Sequence, residues 1–475
     1  MHEDHRRFLR GRSSQVLASI TGTLVACSDG MSFGWTSPMV PYLLDENNSH
    51  IHTTHKQGEW LETISLIGAF CGLPITIYCV DKIGRKKSLL LAAVVVLLNW
   101  ITIGLADRIE YVFVARFFSG MAGDMSFVAA PMYIAEIADS KIRGLLSSII
   151  YLMMLAGLLL VYTLGPFAPF YAIPIAGVVV SAIQLLVFTF MPESPYYLLY
   201  KGRDAEAKES LARLRSPRSD IDREIKDISQ AIERQKMEKG RPQDLILVPS
   251  NRKAITIMTV LNAGQHMSCL SVMYMNLHPI LNKAGSVYLD NNLTAIVFAV
   301  IMFGASLCAS FTIDRFGRKA ILIASTLLTM FCLLSLAVYF HLQYLGVDVA
   351  FISWIPIVSV LVYAGVFKYG LGLVPIVLTA EIFPAPMKAI GMTVADVMFV
   401  LGGIISLQIY QLLSKYGMHI PFYVFTASAF LVLLYSCCCI PETKGKTLDE
   451  IQSMLKNEKV KGKVEGHAMR DINHP

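Results

Sequence analysis

The sequence predicts an all-α integral membrane protein with twelve transmembrane helices in two six-helix halves, joined by a cytosolic helical insert. Three observations lead to this fold class. The apolar residues occur in long blocks, the blocks form two groups of six, and Lys and Arg gather in alternate loops. Composition agrees, since 54% of the 475 residues are hydrophobic and 16% are charged, whereas soluble domains carry about 25% charged residues.

The apolar blocks are long enough to cross a bilayer. Neither Ser88–Ala106 nor Leu145–Met191 contains a charged residue. A helix needs about 20 apolar residues to cross a hydrocarbon core roughly 30 Å thick, and a soluble helix of that length would show a polar face. The predicted spans are 16–42, 60–80, 88–106, 111–135, 145–165, 170–191, 254–281, 293–313, 320–341, 350–379, 389–413 and 421–440.

The order of the blocks predicts five regions. They are a cytosolic N-terminus (1–15), a six-helix half (16–192), a cytosolic linker with short helices (193–253), a second six-helix half (254–441) and a cytosolic tail (442–475). In the linker, Ile221, Ile225, Ile228 and Ile232 recur at helical spacing, and Ser219 is the expected N-cap. A partly disordered linker is the alternative interpretation.

Lys and Arg are unevenly distributed between the predicted loops. If the N-terminus is cytosolic, 14 of them fall on the cytosolic side and four on the outer side. The positive-inside rule therefore predicts that both termini and the linker are cytosolic. Two glycosylation sequons, which begin at Asn47 and Asn292, fall on the predicted outer side.

Three short motifs occur once in each half, always on the predicted cytosolic side, and each second copy follows the first by 233 to 249 residues. Parallel repeats of this kind are common in secondary transporters. Gly permits a tight turn, and Arg and Glu at helix ends can form charge-assisted hydrogen bonds between helices. The motifs therefore predict an inner gate, although simple basic anchors on the membrane would leave the same pattern.

The residues expected to form this gate are Asp81, Gly84, Arg85, Arg116, Glu136, Arg143 and Glu193 in the first half, and Asp314, Gly317, Arg318, Glu381, Lys388 and Glu442 in the second. Arg116 lies inside a predicted span, where a cation facing lipid would be costly. We therefore expect Arg116 to face protein, near Glu193 or Glu136.

These motifs resemble those of the sugar porter family of the major facilitator superfamily. The matching stretches are DKIGRK (81–86), RFFSG (116–120), YIAEIADSKIRG (133–144), PESP (192–195), DRFGRK (314–319), TAEIFPAPMKAIG (379–391) and PETKG (441–445). Within that family the chain is most similar to insect facilitated trehalose transporters, through the stretches at 34–38, 59–60 and 442–451. The resemblance implies the major facilitator fold, alternating access and passive transport of a hexose or disaccharide.

The resemblance also indicates a substrate path. Span 7 of sugar porters typically reads Gln-Gln-Leu-Ser-Gly-Ile-Asn; here Gln265 and Ser268 remain, whereas His266, Cys269 and Ser271 replace the second Gln, the Gly and the Asn. All but Cys269 can still bond sugar hydroxyls. The candidate substrate-binding residues are Gln265, His266, Ser271, Tyr274, Asn276 and Lys368. Bonding to a neighbouring helix is the alternative role for the polar residues of span 7.

Span 10 departs further from the family. The pattern Gly-Pro-x-Pro-Trp reads GLVPI at 372–376, so the stacking Trp is absent, but one Pro remains and a helix break is expected. Lys368 could bind an anionic or carbonyl-bearing solute, pair with Asp29 or Asp396, or extend to the membrane interface. Asp29 and Asp396 are candidates for proton coupling. The acid of proton-coupled family members aligns with Ser32, which favours passive transport.

The sequence therefore predicts a passive sugar carrier of the plasma membrane that acts as a monomer in the lipid bilayer, with a sugar as its small-molecule partner. No cofactor, metal ion or nucleic acid is expected. A carrier of organic anions, a proton-coupled sugar symporter and a non-transporting nutrient sensor are the alternatives. An enzyme is not expected, because the sequence shows no nucleotide-binding loop, metal cluster or nucleophile–base pair.

Overall fold

The computed structural model describes residues 2–47, 49–139, 142–216, 219–237, 241, 243–384, 387–444, 446 and 448–456. Within these ranges it describes the backbone alone at 2–10, 235–236, 313–315, 380, 389, 448–449 and 452. The regular secondary structure of the described residues is entirely helical, which confirms the all-α prediction.

The helices follow one another with short connections. The first group is α1 His2–Gly22, α2 Leu24–Leu44, α3 His55–Lys82, α4 Arg85–Leu105, α5 Ile109–Ile137, α6 Arg143–Leu164 and α7 Ala172–Phe188. The linker holds α8 Pro195–Tyr200, α9 Asp204–Leu214, α10 Ile221–Met237 and α11 Asp244–Leu247. The second group is α12 Pro249–Met267, α13 Leu270–Ala284, α14 Asn291–Phe316, α15 Arg318–Tyr344, a 3₁₀ turn at Ala350–Ile352, α16 Trp354–Tyr369, α17 Val374–Ile382, α18 Lys388–Leu413, α19 His419–Cys439 and α20 Leu448–Leu455.

Ten helical stretches among the described residues are long and apolar enough to cross a membrane, and Ala172–Phe188 is a shorter apolar helix. Large apolar side chains cover the outer surface of these helices; Leu186 and Phe311, for example, are 69% and 63% exposed. A soluble protein rarely exposes so much contiguous apolar surface. The surface is therefore suited to lipid.

The helices pack in the same way in the two groups. In the first, α2 packs on α6, α3 on α5, and α4 on both α5 and α7. In the second, α12 packs on α18, α14 on α16, and α15 on both α16 and α19. Each pairing thus has a counterpart at the corresponding place in the chain, so the duplicated motifs belong to a duplicated bundle. The two halves meet where α2 contacts α13, α3 contacts α18 and α6 contacts α14.

Two local features differ from the sequence prediction. Helix begins at His2 rather than at residue 16, and it continues to Leu44 with one interruption at Thr23. In the linker, α10 is capped by Asp220, the residue before Ile221, whose Oδ1 accepts a hydrogen bond from the backbone N–H of Arg223 at 3.0 Å. Ser219 was therefore the wrong N-cap. The apolar face of α10 does pack, since Ile232 joins a small buried cluster with Tyr197, Leu198, Leu199 and Ala207.

Candidate functional site

The first copy of the duplicated motifs forms a hydrogen-bonded lock between helix ends. Arg85 donates from Nε and Nη2 to Glu136 Oε1, at 3.1 and 2.9 Å. Glu193 Oε1 accepts from the backbone N–H of Lys86 at 3.0 Å, at the positive start of α4. Ser194 Oγ donates to the other oxygen of Glu136. Gly84 has a φ of +102°, and a Cβ there would lie 2.6 Å from Glu193 Oε2, so the turn requires glycine.

The second half builds the same lock. Arg318 Nη2 donates to Glu381 Oε1 at 2.9 Å, and Thr443 Oγ1 donates to the other oxygen of Glu381 at 2.6 Å. Glu442 accepts from the backbone N–H groups of Arg318 and Lys319, each at 3.0 Å. Gly317 has a φ of +89° and approaches Glu442 Oε2 as Gly84 approaches Glu193. The duplication therefore extends to individual hydrogen bonds.

Besides Arg116, three of the residues predicted for the gate do not join these locks. Asp81, Arg143 and Lys388 are exposed, and none forms an ion pair with a described residue; Arg143 donates to the carbonyl of Ala138 at 3.4 Å. The side chain of Asp314 lies outside the described part of the chain. Each lock stays within one half and fixes the ends of neighbouring helices to one another.

Arg116 lies elsewhere than predicted. It is 1% exposed, and its Nη1 donates to Ser32 Oγ at 2.8 Å while its Nε donates to the carbonyl of Leu61 at 3.3 Å. The guanidinium also stacks 5.7 Å from the ring centroid of Trp35. Arg116 therefore ties α5 to α2 and α3 in the interior of the first half. The predicted contact with Glu136 or Glu193 was wrong, because those carboxylates are held in the lock at the end of the helix.

The predicted substrate path contains a break in span 7. α12 ends at Met267 and α13 begins at Leu270. Between them, Cys269 has a φ of +78°. Among the described residues it is the only non-glycine residue with a positive φ. This left-handed conformation is one that glycine adopts without strain and that other residues adopt at a cost. Cys269 thus has a backbone conformation that suits glycine, the residue of the sugar porter pattern at this position.

Buried polar residues flank the break, and some of their polar atoms have no hydrogen-bond partner among the described residues. His266 Nδ1 bonds Ser271 Oγ at 2.7 Å, and the ring packs edge-on against Phe399 with the centroids 4.1 Å apart. Gln265 Nε2, His266 Nε2 and the hydroxyl of Tyr274 are buried and have no hydrogen-bond partner among the described residues. Buried polar groups are nearly always hydrogen-bonded, so these atoms require an explanation.

Span 10 is broken as expected. α16 ends at Tyr369, and the chain turns through Gly370 before α17 begins at Val374. Ser325 Oγ accepts from the backbone N–H of Leu371 at 2.8 Å and so satisfies one group freed by the break. Lys368 is 6% exposed, with its ammonium 5.7 Å from the ring centroid of Tyr151 in the other half. No ion pair joins Lys368 to a described residue, Asp29 and Asp396 included.

The family profile described as "Sugar (and other) transporter" matches residues 15–455. The chain belongs to the sugar transporter family. A facilitated trehalose transporter of Culex quinquefasciatus is 27% identical over 450 residues, which are 93% of this chain and 86% of that protein. The human solute carrier family 2, facilitated glucose transporter member 6, is 27% identical over 467 residues, which cover 93% of this chain and 91% of that protein.

Solved structures of the xylose transporter XylE from E. coli show the same fold. The inward-open conformation of XylE superimposes with a TM-score of 0.75 at 21% identity, covering 94% of this chain and 99% of XylE. The complex of XylE with 6-bromo-6-deoxy-D-glucose gives a TM-score of 0.72 over 94% of this chain. The major facilitator fold expected for this sugar transporter is therefore confirmed.

One cluster of this sugar transporter was not predicted from the sequence; in it the two halves bond to each other at one end of the bundle. Glu62 Oε2 accepts from Asn276 Nδ2 and from Gln411 Nε2, each at 3.0 Å. Lys415 pairs with Glu59 at 3.0 Å. α3 begins and α18 ends at this cluster, which we call the pairing end. Both locks lie where α3 ends and where α18 begins, so they occupy the opposite end, which we call the lock end.

The missed residues carried a signal that could have been used. Glu62 is the charged residue within predicted span 60–80, and Asp124 is an acid within predicted span 111–135. An ionisable residue inside a span is a functional candidate by default. Asp124 interacts electrostatically with Asp29 and with Asp396, two acids from two other helices of this sugar transporter.

Proposed function

We propose that the protein is a facilitative, passive carrier of a sugar, either trehalose or a hexose, that works by alternating access in the plasma membrane. Membership of the sugar transporter family supports this, as do relatives named as facilitated trehalose and glucose transporters. Ten apolar stretches, the shorter α7 and the broken α12–α13 pair supply twelve spans. The chain acts as a monomer.

The observation that carries the proposal is the set of unpartnered polar atoms at the break in span 7. Gln265 Nε2 is a donor, His266 Nε2 is a donor or an acceptor according to the tautomer, and the Tyr274 hydroxyl is both. Sugar hydroxyls also donate and accept, so a neutral polyhydroxylated solute could satisfy all three. Ser271 keeps the His266 ring in place through its bond to Nδ1.

The two ends of the bundle suit the two steps of alternating access. At the pairing end, bonds such as Asn276 to Glu62 and Lys415 to Glu59 cross between the halves and must break for that end to open. At the lock end, the Arg–Glu bonds stay within one half and let each half move as a rigid unit. We assign the lock end to the cytosol and the pairing end to the outside, following the distribution of Lys and Arg. Asn47 and Asn292 are then the external glycosylation candidates.

Lys368 favours a second candidate function. Its buried ammonium lies beside Tyr151 rather than beside a carboxylate, and an organic anion would provide the missing opposite charge. A neutral sugar would instead accept a hydrogen bond from the ammonium. The two functions can be distinguished by replacing Lys368 with a neutral residue of similar length, as in Lys368→Met. The quantity to compare is the selectivity of uptake between sugars and organic anions.

The deciding experiment is uptake of radiolabelled trehalose, glucose and gluconate into cells that express the protein, at two external pH values. We expect saturable sugar uptake that does not change with pH and that falls at least about ten-fold in Gln265→Ala, which loses one of the unpartnered amides. Lys87→Met removes an exposed cation from the lock end and serves as the control for Lys368→Met.

Each result selects one function. Uptake of gluconate but not sugar, abolished by Lys368→Met and kept by Lys87→Met, would establish the organic-anion carrier instead. Sugar uptake that rises at the lower pH would establish proton coupling through Asp29 or Asp396. No uptake of any of the three solutes, with the protein present at the cell surface, would contradict transport and favour the sensor.

A further inference from the structure

Glu62 has a bonding pattern that its position in the membrane does not explain. It is 4% exposed and forms no ion pair with a described residue; Arg116 acts on it electrostatically from beyond ion-pair distance. The two hydrogen bonds that it receives both end on Oε2, so Oε1 accepts none from a described residue. A buried carboxylate that is only partly satisfied is costly, which indicates that it has a function.

Both donors to Glu62 belong to the other half of the molecule. Asn276 lies on α13 and Gln411 on α18, whereas Glu62 lies on α3. Gln411 Nε2 also donates to the carbonyl of Glu59 at 2.8 Å, and Gln408 Nε2 donates to Thr63 Oγ1 at 2.9 Å. Hydrogen bonds to an ionised acceptor are about twice as strong as those between neutral groups, so an ionised Glu62 holds this closure more firmly than the neutral pairs beside it.

Separation of the halves at this end would remove both donors from Glu62 together. The carboxylate would then be left with the distant Arg116 and would need new donors. Water can supply them, and so can the hydroxyl groups of a solute that enters from this side. An anionic solute is repelled by the carboxylate, even when it carries hydroxyl groups.

The bond to Asn276 also determines how that side chain faces a solute. Asn276 turns its Nδ2 toward Glu62 Oε2, which accepts the hydrogen bond at 3.0 Å. Its Oδ1 is left as the atom that can bond another group, and it can accept from a hydroxyl. Glu62 thus makes Asn276 an acceptor while the pairing end is closed.

We propose that Glu62 both holds the pairing end closed and forms a binding subsite there for the hydroxyl groups of a neutral solute, taking solute hydroxyls in place of Asn276 and Gln411 when that end opens. The subsite rests on the proposed sugar transport, whereas the closure does not. It predicts selection for neutral, hydroxyl-rich solutes and against anions at the entrance, ahead of the groups at the break in span 7.

The test combines thiol labelling with transport. Leu66 lies one turn after Glu62 and packs at Gly403 of the other half, so a Leu66→Cys reporter is shielded while the pairing end is closed. Its reaction with a membrane-impermeant thiol reagent, corrected for the same chain without the reporter, measures opening. Labelling rate and half-saturating external sugar concentration are then compared among the native chain, Glu62→Gln, Glu62→Asp and the control Glu110→Gln, an exposed acid at the start of α5.

We expect Glu62→Gln to speed labelling at least about three-fold and to raise the half-saturating sugar concentration at least about five-fold, because a neutral amide bonds more weakly than a carboxylate. Glu62→Asp keeps the charge, so its labelling rate and half-saturating sugar concentration should lie between those of Glu62→Gln and the native chain. Such a graded response would not be expected from simple misfolding. Glu110→Gln should match the native chain in both measurements.

The possible failures are separable. Unchanged labelling in Glu62→Gln would overturn the closure. Faster labelling with an unchanged half-saturating concentration would overturn the subsite. If the native chain transports no sugar, the proposed function and the subsite fail together, while the labelling comparison still decides whether Glu62 holds the pairing end closed.

Discussion

Arg116 Nη1 donates a hydrogen bond to Ser32 Oγ at 2.8 Å, joining two helices in the interior of the first half. Ser32 is a neutral residue, so the direct partner of Arg116 carries no charge. Carboxylates act on Arg116 from other positions, since both Glu62 and Asp29 interact with it electrostatically. The direct contact of Arg116 is therefore structural and independent of protonation.

Replacement of Arg116 by Lys should be destabilising although the charge is kept. Lys lacks the planar group that reaches Ser32 and the Leu61 carbonyl together, so we expect a loss of about 2–4 kcal/mol in the free energy of unfolding. Thermal unfolding of the purified protein measures it. The control Arg108→Lys changes an exposed residue, and equal midpoints for the two variants would contradict the structural role of Arg116.

Alanine at either lock glycine should weaken its lock. Gly84 and Gly317 have positive φ, and an added Cβ would lie 2.6 and 2.7 Å from a glutamate oxygen, so each substitution should cost roughly 1–3 kcal/mol. Gly144 lies within α6 with no atom within 4 Å of a new Cβ. Gly144→Ala should therefore stabilise the protein by about 0.5–1 kcal/mol. Unfolding midpoints that fall in all three variants would refute this distinction.

Two cysteine-to-glycine substitutions should have different costs. Cys269 and Cys27 are both buried, but Cys269 is in the left-handed conformation and Cys27 lies within α2. Glycine relieves strain at position 269 and loosens the helix at position 27. We expect Cys27→Gly to be less stable than Cys269→Gly by about 1–3 kcal/mol. Similar unfolding curves for the pair would show that the positive φ stores no strain.

The second lock should weaken in acid. Burial by itself would raise the pKa of Glu442, but hydrogen bonds from the backbone N–H groups of Lys444, Arg318 and Lys319, together with the charge of Arg318, outweigh burial and hold its pKa below the ordinary value. A lowered pKa stabilises the fold above the ordinary glutamate pKa of about 4.3, and this contribution is lost as the pH falls through the lower folded value.

The stability difference between the native chain and Glu442→Gln should therefore be constant above about pH 5 and shrink on further acidification. Unfolding of both proteins between about pH 3 and 7 tests this. A difference that grows as the pH falls would mean that the carboxylate is destabilised in the folded state.

The locks could be predicted from sequence because their residues are duplicated. A motif that recurs at the same place in two halves indicates the same contacts twice, and Arg85–Glu136 and Arg318–Glu381 follow that logic. Arg116 has no such copy. It also precedes Glu136 by 20 residues on one helix, or roughly 30 Å at 1.5 Å per residue, and this distance alone excludes the predicted contact.

The pairing end was beyond sequence reasoning for a different reason. The partners of Glu62 come from α13 and α18, more than 200 residues away, and nothing along the chain indicates which faces of three helices meet. The left-handed conformation of Cys269 is a second example. The sequence indicates it only indirectly, through the glycine of the sugar porter pattern at this position. Contacts between distant helices, and backbone shapes held by tertiary packing, require coordinates.

The first lock is built from residues between Gly84 and Ser194, all of which precede the second six-helix half. Ribosomes deliver the chain from its N-terminus, and domains generally fold as units in that order. The first half can therefore seal its own helix ends while the second is still being synthesised. Glu62 is then already in place when α13 and α18 are synthesised and can accept their hydrogen bonds. The carrier would therefore assemble from its first half to its second.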